Sequence, residues 1–328
     1  MLRRQAKAPV SLDISTSVRQ FLSDYDSSSI KTKENYRDNL AAFQGFVAAR
    51  DLERMDQIDA QTLREYIQYL REYTYIRPRA KEAKPLSVAT IQHRQGVVRT
   101  WLKWAVMQGQ LAESPMDRVR AVKGEVRARH AFSPEEVKKL VVESGKGVGW
   151  LGYRDRAIIM LLLGTGCRAD ELLSLTPGHF EWKMIDGLGG RRGPENRVLL
   201  NGKGSYDRRA KLGDRTAPAV KDYLKDRPKW IPRDSDRPLF WSLRKEPMEY
   251  SALISMTKYL GRYAGVEDCT PHRFRHTFAV DFYRSNKDIV ALQHRLGHSK
   301  IETTMHYLKS LGVEYGGGDE YTSPDELY

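Results

Sequence analysis

The side chains best suited to chemistry fall into four short clusters in the second half of the chain. They are Arg168 with Glu171 in TGCRADELLSL, Lys203 in NGKGSYDR, His272 with Arg275 in HRFRHTFA, and His298 with Tyr307 in LGHSKIETTMHY. Cleavage of a phosphodiester by a side chain, without metal, needs a nucleophile, cations for the non-bridging oxygens and a proton donor for the leaving oxygen. Arginine suits the oxygens because its planar fork makes two parallel charge-assisted bonds to phosphate. Lysine and histidine suit proton transfer. A Gly-containing turn delivers Arg168 to the start of a helix, where free N–H groups already favour an anion. Glu171, three residues on, is placed to hold the guanidinium or cap the turn. His272 and Arg275 share one helix face, His276 falls four residues from His272, and Phe274 points toward packing. Glycines on both sides of Lys203 permit a tight hairpin with the lysine at its tip. Gly297 ends one helix, Ser299 can begin the next, and His298 sits at the junction, with Tyr307 within the second helix.

Taken singly, each cluster also has an ordinary reading. Arg168 and Glu171 fit a surface ion pair, and Tyr307 is one of 17 tyrosines, a residue type that most often packs with its hydroxyl satisfied. The pairs His272/His276 and His294/His298 have i, i+4 spacing suited to a metal. With no HExxH, no CxxC and no acid placed as a third ligand, no metal site is expected.

The formal charge is +13. Five acids (Glu314, Asp319, Glu320, Asp325, Glu326) and no base lie in residues 312–328, so residues 1–311 carry +18. That surplus points to a polyanion, nucleic acid before anionic membrane, with a solvated basic surface as the plain alternative. The longest apolar run, residues 157–163, is too short to cross a bilayer. The opening MLRRQAKAPV lacks the apolar stretch of a secretory signal. Cys167 and Cys269, the only cysteines, suggest no disulfide framework and fit a reducing compartment. A cytoplasmic, nucleoid-associated protein is the expectation.

The elements that must position these clusters can be read in order. Tyr36, Leu40, Phe43 and Val47 recur at helical spacing within residues 31–50. Asp59 or Gln61 starts a helix with Leu63, Tyr66, Ile67 and Leu70 inward. Residues 77–85, bounded by prolines, read as a loop. Ser87 caps a helix running to about Gln108, with Gly109 beyond it. With the stripe at Val18, Phe21 and Leu22, these make a four-helix domain over residues 1–116. Residues 117–130, basic and without apolar periodicity, read as an interdomain linker. Ser133–Pro134–Glu135–Glu136 forms a capping box and opens the second domain, residues 131–311. Its short segments 181–185, 197–201 and 207–212 predict a small antiparallel sheet among helices. Residues 312–328 form an acidic tail.

In order and approximate spacing, the four clusters resemble the signature boxes of the tyrosine recombinase (phage integrase and Xer-like) family. The resemblance covers residues 129–311 directly, and the preceding helices resemble the family's core-binding domain. It implies a mainly α fold: an N-terminal four-helix, SAM-like core-binding domain, then an α+β catalytic domain of the DNA breaking-rejoining type with a small antiparallel sheet. It implies that Tyr307 is the nucleophile, forming a 3′-phosphotyrosyl bond. Arg168 and Arg275 would bind the scissile phosphate, Lys203 would protonate the leaving 5′-oxygen, His272 would assist proton transfer with Tyr307, and His298 would hydrogen-bond the phosphate. Glu171 sits where the family has a supporting acid. No cofactor, neither ATP nor metal, is implied, because the covalent bond conserves the phosphodiester energy. The implied partners are double-stranded DNA, a homo-tetramer on two DNA sites and possible accessory proteins, with no membrane.

Phe274 replaces the family's usual leucine, a change confined to packing. The chain ends differently, with Gly316–Gly318 and an acidic stretch where the family often passes a helix to a neighbouring subunit; docking of this tail on a neighbour is the expectation. Lys31, Lys33, Arg37, His93 and Arg94 occupy polar helix faces suited to the major groove. The alternatives to a recombinase are a type IB topoisomerase and a non-catalytic DNA-binding protein on the same fold.

Overall fold

The computed structural model describes residues 12–25, 30–76, 82–124, 130–186, 192–202 and 207–313. Lys203, Gly316–Gly318 and the acidic tail beyond Val313 lie outside these residues. The chain divides into two compact units, Met1–Arg127 and Ala128–Tyr328. The architecture is mainly helical, with small antiparallel sheets in the second unit, as the resemblance implies.

The first unit is built on α1 (Ile14–Asp24), α2 (Ile30–Ala48), α3 (Ala60–Glu72) and α4 (Val88–Met107). Three of them start at side-chain caps: Asp13 accepts from the Thr16 N–H, Asp59 from Thr62 and Ser87 from Thr90. Each cap satisfies a donor the helix cannot, a contribution of about 1 kcal/mol. The apolar stripes converge on Phe21, Leu40, Phe43, Leu63, Tyr66, Leu70, Trp101 and Leu102, all buried. Trp101 and Trp104 keep their indole N–H groups bonded, to Ser17 Oγ at 3.2 Å and Asp24 Oδ2 at 2.7 Å.

Two expectations change here. The end of the expected loop is paired: β2 (Lys84–Pro85) lies antiparallel to β1 (Thr74–Tyr75). The proline that marked a loop sits at the strand's end, where a missing N–H is tolerated. The front of the expected linker also packs onto this unit. Val119 and Val122 are buried in its core, and Gln95 donates to the Arg120 carbonyl and accepts from the Val122 N–H. Two valines among five basic residues are too sparse to register as periodicity.

The second unit begins with α5 (Pro134–Ser144), whose capping box joins Ser133 and Glu136 as the sequence predicts. Helix α6 (Trp150–Thr165) is buried on all sides from Ala157 to Leu162, the pattern of a central helix. It packs against α5, α8 (Thr216–Asp226) and α10 (Pro271–Asn286). Between them come α7 (Ala169–Leu173) and α9 (Tyr250–Ala264). The expected strand at 181–185 is in fact two. β3 (Phe180–Glu181) joins β6 (Arg197–Leu200) and β7 (Arg208–Lys211) in a three-stranded antiparallel sheet ordered β3-β6-β7. β4 (Met184–Asp186) pairs instead with β5 (Arg192–Pro194) in a separate ribbon. The opposing chain keeps one register across the break (Glu181↔Arg197, Met184↔Pro194), and the Glu195 N–H donates to the Lys183 carbonyl at 2.8 Å, so the two pairings are one hairpin interrupted at residues 182–183.

The last helices, α11 (Ile289–Leu296) and α12 (Ile301–Ser310), close on α10 around a smaller core of Ala279, Val280, Tyr283, Leu292, Leu296, Leu308 and Leu311. Helix α12 starts after Lys300, not Ser299, and Lys300 makes no side-chain cap bond. Among the described residues no helix is long and apolar enough to cross a membrane.

Helix α6 ends at Gly166 in the left-handed region, φ 59°, and a Cβ there would collide with the Phe278 ring. Gly166→Ala should therefore cost about 2–4 kcal/mol, combining a left-handed alanine with overpacking. Gly265→Ala, at φ 66° with open space around the missing Cβ, should cost only the backbone part, about 1–2 kcal/mol. Denaturant unfolding of the two variants checks this; equal losses would remove the steric argument.

Candidate active site

The site forms where the ends of three helices meet. Helix α10 is started by Thr270, whose hydroxyl accepts from the Arg273 N–H, with Pro271 at the first helical position. This sets His272 in the first turn and Arg275 and His276 in the next. Arg275 is only 3% exposed. Its Nη1 donates to the Gly166 carbonyl at 2.7 Å and its Nη2 to the Leu296 carbonyl at 2.7 Å. Both acceptors are at helix C-termini, where carbonyls lack intrahelical partners and the dipole is negative. Burial, and then the nearby Arg168 charge, push the guanidinium pKa down to about 10, so it stays charged at neutral pH.

The C-terminal end of α6 leads directly to Arg168, the N-cap of α7. Glu171 reaches back to accept from the Arg168 N–H at 2.7 Å and from its Nη1 at 3.0 Å. The same carboxylate receives a two-pronged bond from Arg208 of β7, Nη1 to Oε1 at 2.6 Å and Nη2 to Oε2 at 2.8 Å. Glu171 is 3% exposed and the Arg208 side chain 9%, whereas the Arg168 side chain is 40% exposed. Burial alone would raise the Glu171 pKa, but hydrogen bonding and charge from Arg208, together with Arg168, outweigh it and hold the carboxyl below its ordinary value. Arg208 is the functional neighbour that sequence reasoning missed. Period-two alternation back from Leu212 and Ala210, both buried, puts Arg208 on the inward face and Arg209 outward.

His298 sits at the α11–α12 junction, just after Gly297 in the left-handed region. Gln293 braces it, donating to the His298 carbonyl and accepting from its N–H through the backbone. The ring lies between Arg275 Nη2, 3.2 Å from Nε2, and Thr304 Oγ1, 3.0 Å from Nδ1. Burial, then Arg275, Arg168 and Arg208, push its pKa down to about 4 against a smaller opposing effect of Glu171, so the imidazole is neutral at pH 7. Tyr307 packs against His276, ring centroids 5.0 Å apart, and meets the His298 ring edge-on at 5.7 Å. His276, whose spacing was noted but which was not a site candidate, is buried and also touches His272, at 4.4 Å.

Arg168, His272, Arg275, His298 and Tyr307 line one cleft of about 380 Å³. A larger cleft of about 650 Å³ shares Arg168 and His298 with it and extends past Glu171 and Thr303 to Asn201 and Gly202. Lys203 lies outside the described residues. Five of the six expected catalytic residues thus share one cleft.

The other candidates belong to the first unit. Lys31, Lys33 and Arg37 are exposed on α2, Arg37 beside Asp38. His93 on α4 is exposed and hydrogen-bonds Asn35 of α2 at 2.8 Å, which ties the two polar faces together. Arg94 is half-buried next to it.

Residues 130–312 match the phage integrase family, and residues 15–123 match the phage integrase SAM-like domain. The tyrosine recombinase XerD of Staphylococcus aureus (strain Mu50) is 27% identical over 274 residues, covering 83% of this chain and 85% of the relative. The tyrosine recombinase XerC of Roseiflexus sp. (strain RS-1) is 25% identical over 289 residues, 87% of this chain and 85% of the relative. Among solved structures, the Tn1549 transposon integrase in complex with a circular intermediate DNA superposes with a TM-score of 0.69 at 17% identity, over 97% of this chain and 98% of that one. The XerH site-specific recombinase bound to palindromic difH substrate gives 0.68 at 19% identity, over 90% and 81%. The fold is shared with both.

Removing Arg208 leaves Glu171 buried with one guanidinium fewer. Arg208→Met should destabilise the folded chain by about 3–5 kcal/mol, the usual cost of breaking a buried pair from one side. Because the folded-state pKa of Glu171 lies below its ordinary 4.5, its stabilisation is present above that value. It is lost as pH falls through the lowered one. Denaturant unfolding between pH 7 and 3 should show this acid limb in the wild type and a flatter one in Glu171→Gln.

Proposed function

The chain belongs to the phage integrase family and is a tyrosine-type site-specific recombinase, and from that premise we propose how its own residues cut and rejoin double-stranded DNA. Tyr307 attacks the scissile phosphate, forming a 3′-phosphotyrosyl bond and releasing a 5′-hydroxyl. Arg168 and Arg275 hold the non-bridging oxygens. Lys203 protonates the leaving 5′-oxygen, His272 assists proton transfer with Tyr307, and His298 hydrogen-bonds the phosphate. The reaction needs neither ATP nor metal, because the phosphotyrosyl bond keeps the energy of the bond it replaces.

The observation that carries the reading is the single cleft in which Tyr307 faces two arginines of different kinds. Arg275 is buried and fixed by two helix-end carbonyls. Arg168 is partly exposed, with its second Nη only 3.4 Å from the Gly297 carbonyl. A fixed cation placed in advance, and a more accessible one beside it, are what a developing phosphorane charge requires. Phosphate contacts made by the +13 chain supply affinity that falls steeply with salt. Lys31, Lys33, Arg37, His93 and Arg94 on the tied α2 and α4 faces give the first unit its DNA contacts. On this reading residues 1–116 bind DNA, residues 131–311 carry the chemistry, and strand exchange takes place between two sites held in a homo-tetramer. The XerD and XerC relatives, both tyrosine recombinases, support the recombinase reading, and on that reading the action takes place in the cytoplasm.

A nicked duplex traps the covalent intermediate because the short 5′-fragment diffuses away. Tyr307→Phe should abolish the covalent adduct on a denaturing gel while DNA binding is largely kept. Arg168→Ala should slow adduct formation by about 10²–10³-fold. Adduct formed by the Phe variant would identify another tyrosine as the nucleophile.

A further inference from the structure

We propose that Thr304 is a positioning residue that sets the tautomer of His298, accepting a hydrogen bond from its ring when no phosphate is bound and donating one when a phosphate is bound. This rests on the function proposed above. Thr304 is fully buried, on α12 one turn before Tyr307, with its hydroxyl 3.0 Å from His298 Nδ1. On the other side of the ring, Arg275 Nη2 lies 3.2 Å from Nε2.

A guanidinium can only donate. In the empty site Nε2 is therefore an unprotonated acceptor, and a neutral imidazole then carries its proton on Nδ1. That N–H donates to Thr304 Oγ1. In this form His298 offers no donor to the cleft. A non-bridging phosphate oxygen only accepts, so a bond to it needs the proton on Nε2. One route is the imidazolium. It is disfavoured by burial and by the cations that face the ring: Arg275 from α10, Arg168 at the start of α7 and Arg208 from β7, offset in part by Glu171. Tyr307 from α12 and His272 line the same cleft, and α11 contributes the neutral Gln293. The other route is the second neutral tautomer. Nδ1 gives up its proton, Nε2 gains one through exchange with water, the Arg275 N–H that faced Nε2 turns to the phosphate, and the net charge is unchanged. Nδ1 must then accept a hydrogen bond. A threonine hydroxyl serves both states because its O–H rotates and its oxygen retains lone pairs. A carbonyl in the same place would lock the first tautomer.

The position of Thr304 adds a consequence. Residues three apart on a helix share a face, so Thr304 and Tyr307 move together as α12 moves. Seating the tyrosine also seats the hydroxyl that makes His298 a donor.

The test is single-turnover cleavage by the full chain, on a nicked duplex carrying the sequence at which the wild type forms its covalent adduct, from pH 6 to 9. Thr304→Val keeps the shape and removes the hydroxyl; it should slow cleavage by about 10–100-fold, as loss of a histidine's orienting partner does. Thr304→Ser should restore the rate. In a His298→Gln background Thr304→Val should have no further effect. A valine variant with wild-type rate, or a loss that persists beside His298→Gln, overturns the proposal and leaves Thr304 a packing residue. Nitrogen NMR of the DNA-free wild type gives a check that needs no variant: the His298 proton should be on Nδ1, and finding it on Nε2 overturns the proposal. Failure of the wild type to form any adduct overturns the underlying functional reading and the proposal with it.

Discussion

A buried guanidinium must be surrounded by acceptors, and the architecture of the catalytic unit follows from meeting that demand at Arg275. Desolvating an ion costs several kcal/mol even after relaxation. The side chain cannot escape by deprotonating, because its pKa falls only to about 10. The acceptors come from the ends of two other helices. The Gly166 carbonyl closes α6 and the Leu296 carbonyl closes α11, so charge–dipole attraction adds to each hydrogen bond. Both helices terminate through a glycine with positive φ, which turns the backbone away at once. The following residue in each case enters the site: Cys167 and then Arg168 after Gly166, and His298 after Gly297. One requirement, burial of a cation, therefore brings three chain segments to a common point.

Glu171 performs the reciprocal service. Arg168, Arg208 and Arg275 would repel one another in a low-dielectric cleft, and a single buried carboxylate in contact with two of them lowers that cost. Arg208 is consumed in this structural role, with both Nη groups on Glu171. Arg168 gives Glu171 its N–H and one Nη and keeps the rest of its guanidinium toward the cleft. His298 is kept neutral first by its burial and then by the remaining positive potential. A site arranged to bind an anion thus fixes the protonation state of its own histidine before any anion arrives.

Much of this was legible in the sequence, for identifiable reasons. The capping residues Asp59, Ser87 and Ser133 act through hydrogen bonds to residues three positions on, so local pattern reveals them. The helical stripes through Phe43, Leu63 and Trp101 report burial directly. Arg168, Glu171, His272, Arg275, His298 and Tyr307 were readable as a group because the short boxes that hold them resemble, in order and spacing, those of the tyrosine recombinase family. Arg208 and Thr304 were not, since each acts through a partner distant in sequence or hidden in a helix: Arg208 meets Glu171 37 residues away. The burial of Val119 and Val122 in the expected linker was likewise invisible, because two contacts in a basic segment create no period.

The placement of Tyr307 separates the proposed nucleophile from the anchor. Arg275 and Glu171 adjoin the large core around α6, which holds most of the unit's buried apolar surface. Tyr307 stands on α12, whose apolar side faces the smaller core with Leu292, Leu296 and Leu308. Helix α12 is ten residues long and lacks a side-chain N-cap, and a helix of that length depends on packing for its stability. Displacing it would expose the small core and leave the large one intact, so its position is governed by a local free energy well below that of global unfolding. On the proposed reading the groups that hold the phosphate are fixed by the fold, whereas the attacking oxygen is carried on a short helix over the smaller core. Such a division would suit an enzyme that cuts only when its proposed partners are assembled, because contacts at α12 alone could bring Tyr307 into or out of line without disturbing the buried Arg275.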